Sequence, residues 1–147
     1  MTIRRKTSEE AGMAAVREVR ALFASFEDSS AVPAEPVSAE PVTTEVAQAF
    51  AALPRSVRAT FVRFTLEELA TLAPGNSVEV RVPPLGVTQC VAGPRHTRGT
   101  PPSVVETSPA AWAALVLGTC SWEQAVAAGV LDASGERSDL STLLPLF

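Results

Sequence analysis

Between residues 55 and 82 the spacing of apolar side chains changes period, and that change constrains the fold more than any other feature. Over RSVRATFVRFTLEELATLA (55–73), Val62, Leu66, Leu69 and Ala73 recur at helical spacing, and Phe61 and Phe64 widen the stripe. So broad an apolar face predicts a helix that covers a sheet rather than one at the surface. Pro74, Gly75 and Asn76 stop it. SVEVRV (77–82) then alternates strictly, with Val78, Val80 and Val82 on one face and Glu79 and Arg81 on the other. That is the pattern of a half-buried strand.

The remaining elements follow from the same signals. TSEEAGMAAVREVRALFASF (7–26) predicts a helix, opened by Thr7 and Glu10 as a capping box, with Val16, Val19, Phe23 and Phe26 on one face. EDSSAVPAEPVSAEPVTTE (27–45) repeats AEPV and is rich in Pro, Ser and Glu. Such a stretch buries too little surface to offset its chain entropy and reads as an extended linker. On this reading residues 1–43 form an appended helix and linker, a candidate arm for self-association or a protein partner, and 44–147 form the domain. Residues 44–53 predict a short helix before Pro54, and GVTQCVAG (86–93) a second strand, antiparallel to the first across a short turn. SVVET (103–107) is a third strand. Ser108 and Pro109 open a helix carrying Trp112, Leu115 and Val116 and ending at Gly118. Ser121 with Gln124 is a capping box for a helix that Gly129 closes, VLDAS (130–134) is a fourth strand, and DLSTLLPLF (139–147) predicts a closing helix. The fold class expected is α+β, an antiparallel-rich sheet of about four to five strands covered by helices.

Composition narrows the functions. The 147 residues are 46% hydrophobic and 19% charged, enough apolar material for one core, and the net charge is −4. An acidic chain is not built to attract phosphate backbones or anionic membranes, so nucleic acid is not the expected partner. MTIRRKTSEE is followed by no apolar run of signal-peptide length, and no stretch has the roughly 18 apolar residues a bilayer demands. The expectation is a cytoplasmic protein without stable membrane insertion. Cys90 and Cys120 read as small buried hydrophobes, because two cysteines make no disulfide framework and neither has a second ligand at metal spacing. No cofactor or metal is expected.

One loop stands apart. GPRHTRGTPP (93–102) carries His96, the single histidine, between Arg95 and Arg98. Imidazole titrates near neutrality, and paired arginines hold carboxylates or phosphates. A reactive or anion-binding loop and a polar turn both fit. An enzyme would also require a nucleophile or a carboxylate to orient the ring, and Glu106 is near in sequence only. GxSxG, P-loop and GxGxxG motifs are absent. No catalytic constellation is recognisable.

Residues 106–147, through Trp112, Leu115, Gly118, Trp122, Ala125, Gly129, Gly135, Leu140 and Leu144, resemble the C-terminal part of sterol carrier protein type 2 domains. Residues 78–107 are similar to the bacterial, actinobacterial branch of that family. The resemblance covers roughly 55–147. It implies a sheet packed on helices around an apolar cavity, a container for a hydrophobic or amphipathic small molecule and not a catalyst. On that implication Phe61, Phe64, Val78, Val80, Val82, Trp112, Leu115, Leu140, Leu143 and Leu144 are candidate cavity wall, and Arg95, His96 and Arg98 a candidate rim for an anionic headgroup. The same side chains at these spacings also make an ordinary core. A second implication is an accessory or interaction domain like those attached to mycothiol-dependent isomerases, without activity of its own.

Overall fold

The computed structural model describes residues 5–27, 42–93 and 103–147. Its elements run α1 (Glu9–Glu27), α2 (Thr44–Ala52), α3 (Arg55–Leu72), β1 (Val78–Val82), β2 (Gly86–Cys90), β3 (Ser103–Thr107), α4 (Pro109–Leu117), α5 (Trp122–Ala127) and β4 (Leu131–Ser134). The architecture is α+β, with a four-stranded sheet in the order β2-β1-β3-β4. β1 pairs antiparallel with β2, and β3 antiparallel with β4. The central pair, β1 with β3, is parallel, setting Val78 opposite Ser103 and Val80 opposite Val105.

Alternation along β1 sets the inner face. Val78, Val80 and Val82 are fully buried, while Arg81 is exposed and paired with Glu79 two residues away. Register carries the same face onto Cys90 of β2 and Val105 of β3, both buried. α3 crosses this face so closely that a Cβ at Gly86 would lie 3.0 Å from Leu66 Cδ1 and 3.3 Å from Val62 Cγ1. The broad stripe on α3 thus has a sheet beneath it, as its width requires.

α4 is buried from Ala110 to Val116. A helix apolar on every side belongs inside a protein, not on it. It meets α3 through a buried bond in which Trp112 Nε1 donates to Thr65 Oγ1 at 2.8 Å. Thr65 Oγ1 in turn donates to the Phe61 carbonyl at 2.8 Å. Both polar groups are therefore satisfied in the core, where an orphan would cost about 1–3 kcal/mol.

α1 lies on α3, with Val16 and Val19 fully buried and Phe23 nearly so. Gly12 permits the contact, since a Cβ there would sit 2.2 Å from the Phe64 ring. The amides of Lys6 and Thr7 donate to the Glu67 carboxylate, and Arg5 pairs with Glu68. The helix expected as an appendage thus contributes its apolar face to the common core. Its cap also differs from the sequence expectation: Ser8 Oγ, not Thr7, accepts the Ala11 amide. Glu67 engages the Thr7 amide instead, a tertiary bond that displaces the local box.

Two further expectations change. β2 ends at Cys90 rather than Gly93 because Val91 turns to φ 65°. Three bonds hold that unfavourable conformation: Val91 N donates to the Ala73 carbonyl, and the Val91 carbonyl accepts from Ser77 N and Ser77 Oγ. Residues 139–147 are not helical. Ser141 N donates to Asp139 Oδ1 at 2.9 Å, a local bond that competes with the helical one, and Pro145 supplies no amide and disfavours helical geometry at Leu144.

Candidate functional site

Each wall of the cleft at the end of α4 begins with a local sequence signal. Ser108 Oγ accepts the Ala111 amide at 3.2 Å and starts α4. Gly118 ends it in the left-handed region, at φ 78°. Three residues later Ser121 opens the expected capping box with Gln124, Gln124 N on Ser121 Oγ at 3.1 Å and Ser121 N on Gln124 Oε1 at 2.9 Å. These stop and start signals place the end of α4 against the beginning of α5. Segment 139–147 then crosses them. Leu146 N and Phe147 N both donate to the Val116 carbonyl, at 3.0 and 3.2 Å. Pro145 passes over Gly118, where an added Cβ would lie 3.3 Å from its ring.

Between these elements is a cleft of about 200 Å³. Leu115, Trp122, Leu144 and Pro145 give it apolar walls, and Ser121, Glu123 and Ser141 give it a polar edge, with Gly118 and Cys120 completing the lining. None of these described lining residues is Lys, Arg or His. Cys120 is 3% exposed, and burial pushes its thiol up, away from the reactive thiolate. Cys90, beneath the sheet, is pushed up to about 11 by the same desolvation. Among the described residues, no three His, Cys, Asp or Glu side chains gather as metal ligands, and no helix is long and apolar enough to cross a membrane.

The residues named as cavity wall fall into three places. Val78, Val80 and Val82 line the inner face of the sheet; Phe61 meets Phe50 edge-on at 6.3 Å; Trp112 is tied to Thr65. Phe64 stacks on Phe147, centroids 6.0 Å apart. All of these, with Leu140, are closed into one hydrophobic cluster, against which Leu143 and Leu144 pack half-buried. Of the ten, Leu115 and Leu144 border the cleft.

The loop residues Arg95, His96 and Arg98 lie outside the described residues. The two ends of their stretch are described, and both engage Arg137. Its guanidinium donates to the Ala92 carbonyl at 3.4 Å, and its amide to Ser103 Oγ at 3.1 Å. Arg137 gave no sequence signal, because only the pairing of β3 with β4 brings it beside Ser103. Glu123, Ser141 and Pro145 were missed for the same kind of reason: a helix over 139–147 would not have turned Ser141 and Pro145 toward α5. The proline in DLSTLLPLF was the available clue.

No curated protein matches the chain. A family profile described as bacterial SCP ortholog matches residues 54–146, from the start of α3 through all four strands and across segment 139–147. α1 and α2 precede the matched stretch, and both the cleft and the core around Trp112 fall within it. The match spans more than half of the chain, which therefore belongs to the bacterial SCP ortholog family.

Proposed function

We propose that the chain binds and carries a hydrophobic or amphipathic small molecule without transforming it, and that the cleft between α4, α5 and segment 139–147 is where the molecule enters. Family membership supplies the class of function. The observation that carries the placement is the cleft itself, apolar on its walls and polar at its edge. Pockets of that composition hold ligands by burial of apolar surface and orient them with a few polar groups. Chemistry has little support there. The Cys120 thiol is held protonated and turned to the Ser121 carbonyl at 3.3 Å.

Native mass spectrometry of the freshly purified full chain, followed by solvent extraction, tests the reading. A discrete lipid-sized adduct, or uptake of one component from a mixture of fatty acids, fatty alcohols and phospholipids, is the expected result. A bare mass before and after exposure to that mixture would sink it.

A further inference from the structure

Segment 139–147 is held in two unlike ways. Leu140 is fully buried. Beyond it, Leu143, Leu144, Leu146 and Phe147 lie half-buried on the core, in neither helix nor strand. Two amides, those of Leu146 and Phe147, tie this part to α4, and both use the Val116 carbonyl. The Phe147 ring lies on Phe64, and Pro145 on Gly118. The segment therefore acts as a strap of leucyl and phenyl groups over an apolar floor made by α3 and α4.

Size shows what the strap does. The cleft beside it is about 200 Å³, below the roughly 300 Å³ at which ordinary small-molecule pockets begin. A long aliphatic chain needs more floor than that. The adjoining floor is the part already covered by the side chains of 143–147, and an alkyl chain offers it the same chemistry. Exchanging one apolar cover for another loses little buried surface at the floor, so the ligand works against the docking of the strap and not against the core.

Charge selects the headgroup. The mouth presents the hydroxyls of Ser121 and Ser141 and the carboxylate of Glu123, and the Asp139 carboxylate accepts the Ser141 amide beside it. No described lining residue carries positive charge. Such a mouth repels a carboxylate or phosphate, while its hydroxyls match an uncharged hydroxyl.

We propose that the site takes an uncharged single-chain amphiphile, of the fatty-alcohol or monoacylglycerol class, whose hydroxyl meets Ser121 and Ser141 and whose chain replaces Leu143–Phe147 on α4. The proposal rests on the binding reading above and adds to it a ligand class and a built-in competitor. A ligand whose site is usually occupied by the strap binds more weakly, in proportion to the fraction of molecules with the strap away.

The test is hydrogen exchange on the full chain with and without saturating dodecanol, with dodecanoate as the charged comparison. Dodecanol is expected to bind more tightly than dodecanoate and to speed exchange at the Leu146 and Phe147 amides. Phe147→Ala, confirmed as folded by its thermal transition, is expected to bind dodecanol about threefold more tightly. Bound dodecanol that leaves those two amides unchanged or slower overturns the strap. Binding of dodecanoate equal to or tighter than that of dodecanol overturns the ligand class. No uptake of either compound by the natural chain or by Phe147→Ala sinks the binding reading itself.

Discussion

α1 and segment 139–147 are both apolar stretches laid against α3 and α4, yet they are held to very different degrees. α1 inserts Val16 and Val19 completely and fits a glycine against the Phe64 ring. The segment buries Leu140 and leaves Leu143, Leu144, Leu146 and Phe147 half-exposed. The family match runs the other way, including the segment to residue 146 and excluding α1. Depth of burial and family membership thus separate in this chain. The deeply packed helix lies outside the matched stretch, while the loosely packed segment lies within it and borders the cleft.

The largest test of that contrast is removal of residues 1–43. Uncovering Phe64 and losing Val16, Val19 and Phe23 forfeits about 1.5–3 kcal/mol per buried side chain, comparable in sum with the whole stability of a small domain. The shortened chain is expected to lose its cooperative thermal transition; an unchanged midpoint would restore the appended arm that its Pro-rich neighbour suggests. Leu140→Ala should cost about 2–5 kcal/mol in chemical denaturation, because it opens a cavity at the buried anchor of the segment. Gly12→Ala should cost about 1–3 kcal/mol by forcing the Phe64 ring aside. Phe147→Ala should cost no more than about 1 kcal/mol, since the ring is already half in water. If Phe147→Ala proves as damaging as Leu140→Ala, the segment is a rigid part of the core and the contrast with α1 collapses.

The weakest effect at neutral pH comes from the two thiols. Burial raises the pKa of Cys90 to about 11 and raises that of Cys120, so folding favours their neutral forms. Their contribution to stability is complete below the ordinary thiol range, near 9.0, and is lost as pH climbs toward about 11. No tyrosine is present to mask the trend. Replacing both cysteines by alanine should flatten the alkaline decline measured by denaturant titration. In the natural chain, alkylation should reach Cys120, beside the loosely held segment, before Cys90 beneath the sheet.

Much of the cleft was legible as separate signals. Ser108 with Pro109, Gly118, and Ser121 with Gln124 each act within one helical turn, and the structure uses all of them. The period change from α3 to β1 was equally plain, because a helix and a strand expose an apolar face at different intervals. The segment was misread because its leucines suit a helix, and the bonds around Asp139 and Pro145 override that spacing. Thr7 was misread as a cap because Glu67, sixty residues away, engages its amide.

The sequence by itself determined the locally capped starts and stops, such as those at Ser108, Gly118 and Ser121, the apolar faces of α3 and β1, and the α+β class, because these depend on neighbours along the chain. Only the tertiary structure decided that β1 and β3 run parallel, that Gly12 receives Phe64, and that residues 139–147 cross α4 unwound to leave a cleft beside Trp122. Those outcomes depend on which distant surfaces meet, and side-chain spacing along a chain fixes a face without fixing its partner.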